Sequence, residues 1–231
     1  NGFMPRGNTD YGRDYGQTYE TGRRQDGGDP GDTNGAARTL TGSGPASWYH
    51  DNSPAGIADL TGNVWEWVRG LRLVDGEIQI IADNNAAATD ADHSDTSTLW
   101  QAILQDGSLV APGTTDTLKW DATGADGTGS PILNTSVTSQ SDGSNSASQM
   151  YKDLTVEAGV TVPDIAKVLG LFPHATDMTR GRFYMRNEGE RLPIRGGDWR
   201  IGSLAGVFAL SLHSPRSSAG SDLGFRPAFA I

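Results

Sequence analysis

RLPIRGGDWRIGSLAGVFALSLHSPRSSAGSDLGFRPAFAI, residues 191–231, interleaves two kinds of residue. One is an apolar and glycine frame: Gly196-Gly197, Trp199, the run GVFAL over 206–210, and Gly224-Phe225-Arg226. The other shares no chemistry: Asp198, Arg200, Ile201, Ser203, Leu204, Ser211, His213 and Ser214. A core strand does not usually flank its apolar run with such a mixture. The pattern reads as a rigid frame holding a surface whose residues are chosen by something other than folding. Over 207–213 the period of two puts Phe208, Leu210 and Leu212 on one face and Ala209, Ser211 and His213 on the other. Over 225–231, Phe225, Pro227, Phe229 and Ile231 share a face. Pro227 cannot donate to a ladder, so that strand is expected at a sheet edge or ending there.

Outward from this stretch, residues 56–81 (GIADLTGNVWEWVRGLRLVDGEIQII) return to strand chemistry. Alternation from Val64 to Val74, the Asp75-Gly76 turn and the β-rich run Glu77 to Ile81 predict a hairpin with a type I′ turn. Trp65 and Trp67, two apart, share a sheet face, with Glu66 on the other. Residues 1–47 show neither period and read as ordered loop, with Tyr11, Tyr15 and Tyr19 as candidate anchors onto a core; a flexible terminal segment is the other reading. Residues 84–150 shift to Ala, Thr, Ser, Asp and Gly and read as a loop-rich insertion. Helices are expected at 97–104 and 147–154, and a hairpin around 117–122. A third helix is expected from Thr161, with Pro163 at its first position, Ile165, Val168 and Leu169 as its apolar set, and an end near Gly170. The fold class is α+β: antiparallel sheet, few helices and much irregular loop, in a single domain over 1–231. The chain opens Asn1-Gly2 without Met, as a piece of a longer protein would.

Composition narrows the function. A net charge of −10 with no basic run argues against nucleic acid as a partner. No apolar run is long enough for a membrane span. The absence of cysteine removes thiol catalysis, thiolate metal sites and disulfides. There is no G-x-x-x-x-G-K phosphate loop and no G-x-S-x-G elbow.

Three elements occur in series: Gly62-Asn63-Val64-Trp65-Glu66-Trp67, Arg195-Gly196-Gly197-x-Trp199 and Leu223-Gly224-Phe225-Arg226. Together they resemble the formylglycine-generating-enzyme-like (sulfatase-modifying-factor) branch of the C-type lectin fold. More narrowly, they resemble the variable proteins of diversity-generating retroelements. The likeness covers residues 48–80 and 185–231 well, 1–47 loosely and the 84–150 insertion hardly at all. It implies a C-type lectin fold in which Trp65, Glu66, Trp67, Gly196, Gly197, Gly224, Phe225 and Arg226 are frame. Arg226, beside a core strand, is expected to pair with a buried acid, and Glu66 is the candidate. The likeness also implies a variable region over 195–231 whose ligand-binding residues are Asp198, Trp199, Arg200, Ile201, Ser203, Leu204, Ser211, His213 and Ser214, joined by Ser217, Ser218, Gly220, Ser221 and Asp222. Trp199 and Arg200 would be the energetic centre.

Retroelement mutagenesis rewrites adenines, so diversified AAC codons yield no Gln, Lys, Met, Glu or Trp. From Asp198 to Asp222 none of these occurs except the frame residue Trp199. Formylglycine formation itself needs cysteines, and the iron-dependent branch needs clustered histidines; His50, His93, His174 and His213 are scattered. The resemblance therefore implies a non-enzymatic protein that needs no cofactor. It would recognise a protein or glycan receptor on a cell surface, displayed on a phage tail or a cell surface, with a homo-oligomer as a family expectation. Two points stay open. The family places a cation at the GN-x-WEW turn, and the Asp59 side chain, the Gly62 and Val64 carbonyls and Glu66 would hold Ca²⁺ here; alternatively Glu66 is taken by Arg226 and no ion binds. The second function reading is a calcium-dependent carbohydrate-binding or structural adhesin or tail module without diversification.

Overall fold

The computed structural model describes residues 3–175 and 178–226, and strands dominate it. In chain order these are β1 (Trp65–Trp67), β2 (Leu71–Val74), β3 (Glu77–Ile80), β4 (Gln101–Ile103), β5 (Leu109–Val110), β6 (Lys119–Ala122), β7 (Pro131–Asn134), β8 (Ala147–Met150), β9 (Thr155–Val156), β10 (Arg182–Met185), β11 (Glu190–Gly196), β12 (Gly206–Ser214) and β13 (Leu223–Gly224). Among the described residues the one α-helix is α1 (Asp164–Val168). The chain is therefore mainly β, with few helices and long loops.

One path of neighbours runs β8-β10-β12-β11-β2-β3-β6-β7-β9, with β4 and β5 branching from β3 and β1 and β13 from β11. Pairing is mostly antiparallel; β10–β12, β7–β9 and β1–β13 are parallel. The long strand β11 is the hinge of the arrangement. It pairs with β12 along one edge, and along the other with β2 near its start and β1 near its end. Pro193, which has no N–H to give, sits where the β11–β12 register shifts between Leu192 and Ile194.

The β2–β3 hairpin forms as its alternation predicts: Leu71 faces Ile80 and Leu73 faces Ile78, all four buried. Asp75 (φ 47°) and Gly76 (φ 82°) make the type I′ turn that matches strand twist. The alternation does not continue from Val64, however. Gly70 at φ 81° turns the chain, so Trp65–Trp67 is a separate strand. On β12 the two expected faces appear. Leu210 and Leu212, with Phe208 packed beside them, join a large core with Ile78, Trp120 and Phe183, while Ala209 joins a smaller one with Trp65 and Ile194.

Several expected elements differ. The helix at 97–104 is instead β4, whose Ala102 pairs with Gln79 of β3. The helix at 147–154 is β8, laddered along β10, followed by a single 3-10 turn over Tyr151–Asp153. In both, pairing with a distant strand outweighs a short local helical pattern. Within 117–122, Lys119–Ala122 is a strand, and its hairpin partner is β7, across 123–130. The third helix does start after Pro163, which caps it from extended backbone and is not its first residue. It ends before Gly170, at φ 63°. Val168 is exposed, so it is no part of an apolar face. The 84–150 stretch contributes β4 to β8, and its Trp100, Ile103, Leu118, Trp120 and Leu133 are buried.

Residues 3–47 carry no strand but are pinned by buried polar groups. Glu20 accepts from Arg6, Ser47 and the Trp48 indole. Arg24 pairs with Asp26 and donates to the carbonyls of Asp29, Asp32 and Asn34. Tyr15 and Tyr19 are exposed rather than anchored, because these polar contacts do the holding. Of the expected C-terminal strand, Pro227, Phe229 and Ile231 lie outside the described residues, and Phe225 is 80% exposed rather than part of a packed frame.

Candidate functional site

The variable stretch begins where β11 ends. Gly196 and Gly197 take φ of 92° and 88°, and a Cβ on Gly197 would come within 2.7 Å of the Ala205 side chain. Only glycine fits a left-handed backbone this tightly packed. The turn so made docks on the turn at 62–63: Gly62 N–H donates to the Gly196 carbonyl (2.9 Å) and Trp199 N–H to the Asn63 carbonyl (3.2 Å). The N-terminal segment braces the next residues. Tyr11 N–H donates to the Trp199 carbonyl (2.8 Å) and Gly202 N–H to the Thr9 carbonyl (2.9 Å).

This bracing buries two residues expected to contact ligand. Asp198 and Trp199 are each only 2% exposed. The Asp198 carboxylate accepts from the Trp65 indole (3.2 Å), from the Arg200 amide (2.8 Å), and from Arg200 Nε (3.1 Å) and Nη2 (2.9 Å). Trp199 is therefore packing rather than an apolar anchor, and Asp198 is a structural acceptor. Arg200 emerges from this base. Its guanidinium lies 5.0 Å from the Trp199 ring centroid and also pairs with Asp222, tying the 198–204 loop to the 215–222 loop. Hydrogen bonds to Asp198, outweighing partial desolvation and helped by Asp222, hold the Arg200 pKa well above its ordinary value.

The other expected contacts fall into distinct places. Ser203 is exposed, while Ile201 and Leu204 are half-buried, Ile201 against the Trp65 cluster. Ser217, Gly220 and Ser221 are exposed and Ser218 and Asp222 half-exposed. Ser211 is only 7% exposed, wedged between Ile194 of β11 and Tyr184 of β10, so it presents little to a ligand. His213 and Ser214 are half-exposed but lie at the far end of β12, about 23 Å of strand from Gly206. Burial, then the fields of Arg186 and Arg191, hold the His213 pKa below its ordinary value, so the ring is neutral near pH 7. The 215–222 loop bridges the two ends, anchored by Arg216 on Glu190 (2.8 Å) and by Asp222 on Arg200.

Two contributors were not singled out as ligand contacts from the sequence. Tyr15 is 59% exposed, and its ring lies against Gly202, where an added Cβ would meet it at 3.2 Å. Its signal was available: an aromatic between Asp14 and Gly16, in chain too polar to bury it. Tyr184, edge-on to Trp65 at 6.1 Å with Arg182 over its ring, stands beside Ser211 on the outer sheet face.

The frame pair is as expected. Arg226 grips Glu66 through Nη2–Oε1 (2.7 Å) and Nε–Oε2 (3.1 Å) and donates to the Asp59 carbonyl. That geometry does not fit the calcium ligand set. Both Glu66 oxygens face a guanidinium, and the Asp59 carboxylate instead accepts the Gly42 N–H (2.9 Å). A divalent ion shared by Asp59, Gly62, Val64 and Glu66 would have to displace Arg226. Burial, partly offset by the Gly42 bond, raises the Asp59 pKa above its ordinary value. Compared with models of known protein families and with curated proteins, the chain matches none.

Proposed function

We propose that the chain is a non-enzymatic ligand-binding protein with a C-type lectin fold of the formylglycine-generating-enzyme-like branch. Its C-terminal loops, diversified by a retroelement, recognise a receptor on a cell surface. One observation carries the reading. Chemically unrelated exposed side chains sit on loops whose backbones are fixed by buried groups and by main-chain bonds to other segments. An enzyme converges a few groups of matched chemistry on one point; the exposed groups here share no chemistry. The contact surface centres on Tyr15, Arg200, Ser203 and the 217–222 loop, with His213 and Ser214 as an outlying part. Tyr15 and Arg200 are its energetic centre, since Tyr and Arg dominate contact energies. A face this small binds weakly alone, so display in many copies on a phage tail or cell surface supplies avidity.

The deciding experiment is sequencing of the surrounding genome. The proposal requires a reverse transcriptase gene and a nearby repeat of the 198–222 coding region that differs from it mainly at adenines. A locus with neither refutes diversification. The second reading is a calcium-dependent carbohydrate-binding or structural adhesin or tail module without diversification; its calcium-dependent form is disfavoured because Arg226 holds both Glu66 oxygens.

A further inference from the structure

We propose a second binding site, separate from the loop surface, in the cleft beside β11: it takes a small amphiphile with a carboxylate on an apolar body, and Arg195 receives the carboxylate. The cleft encloses about 1160 Å³, ample for such a molecule. Its walls include Trp67 of β1 and Val68 after it, Ile81 after β3, Leu109 of β5, and Ile165 and Leu169 at α1.

Arg195 is the unusual member of this lining. Of the other arginines in the lining, Arg226 pairs with Glu66 and Arg69 is exposed to solvent. Among the described residues Arg195 has no such partner. Its Nη2 donates only to the Leu169 and Gly170 carbonyls, at 3.0 and 3.1 Å. Nearby acids are otherwise committed: Glu66 holds Arg226, and the Asp59 carboxylate takes the Gly42 amide; Asp83 is exposed to solvent. Burial opposes the Arg195 charge and pushes its pKa down, which is the cost an incoming anion relieves. A guanidinium with donors to spare and apolar walls fit a singly charged carboxylate better than a strongly hydrated dianion.

The test is calorimetric titration of the whole chain with decanoate and, separately, decanol, both below the concentration at which they aggregate. The expected result is saturable one-to-one binding of decanoate, tighter than decanol by about tenfold or more, as a charge-assisted pair implies. Arg195→Gln should remove that difference. Leu169→Asp should weaken decanoate by placing a charge on the apolar wall. Arg195→Gln also removes two bonds to the α1 end, so it could unfold the chain; the decanoate–decanol comparison on the unaltered protein does not depend on it. Equal affinity for the two probes, or no saturable binding of either, overturns the proposal and leaves the loop surface untouched.

Discussion

Asp198 holds three groups at once, the Trp65 indole, the Arg200 amide and the Arg200 guanidinium, and it does so almost without solvent. Asp198→Ala should therefore lower stability by about 1–3 kcal/mol, through the donors left unmet. Trp199→Ala, which empties a buried site, should lower it by about 3–5 kcal/mol. Tyr15→Ala, at an exposed ring, should change it by less than about 0.5 kcal/mol. Urea unfolding followed by circular dichroism ranks the three, and equal losses for Trp199→Ala and Tyr15→Ala would contradict the assignment of one to packing and the other to surface. At Glu66 the partner is a guanidinium, so melting temperature should not move when a chelator is added at matched ionic strength. A fall on chelation would mean that an ion displaces Arg226.

The β2–β3 hairpin shows what one element tolerates. Gly76 sits at φ 82°, and a Cβ there would lie 2.7 Å from Val137 and 2.8 Å from the Trp120 carbonyl. Gly76→Ala should destabilise by more than about 1 kcal/mol, seen as a lower urea midpoint with unchanged slope. This hairpin was legible in the sequence because its signal is local: alternation on both sides of Asp75-Gly76. β12 was legible for the same reason. β4 and β8 were not, because each is only a few residues long and exists through its ladder to β3 or β10, which no local pattern announces. The site divides in the same way. The Glu66–Arg226 pair and the Gly196-Gly197 turn followed from motif and chemistry. The burial of Asp198 and Trp199 did not, since it depends on residues 9–11 arriving from the far end of the chain.

Across the whole molecule, stability should follow the carboxylates and two histidines. Burial raises the pKa of Glu20, Glu190 and Asp121, but hydrogen bonds outweigh it. Those from Arg6, Ser47 and Trp48 lower Glu20; those from Arg216 and Arg72 lower Glu190; those from Thr138, Ser139 and Ala122 lower Asp121. A folded-state pKa below the unfolded one contributes stability above the unfolded value, lost as pH falls through the folded one. Glu20 and Glu190 thus lose their contribution below pH 4.5, and Asp121 below 3.8. His93 and His213, both depressed chiefly by burial, add a shallower decline that starts below 6.5. Asp59 runs the other way, so acid relieves its burial and softens the fall. The urea midpoint should be flat near neutrality, dip slightly from pH 6.5 and drop below 4.5; a midpoint that rises on acidification would reverse the sign argued for these groups. The bracing of the 199–202 backbone has a further consequence. Those bonds run from amide to carbonyl, between Tyr11 and Trp199 and between Gly202 and Thr9. They read no side chain at Ser203, so the path of 199–202 does not depend on what is written there, whereas Arg200 itself ties this loop to Asp222. A library randomised at the Ser203 codon should return clones that share one scaffold and differ only in what they grasp.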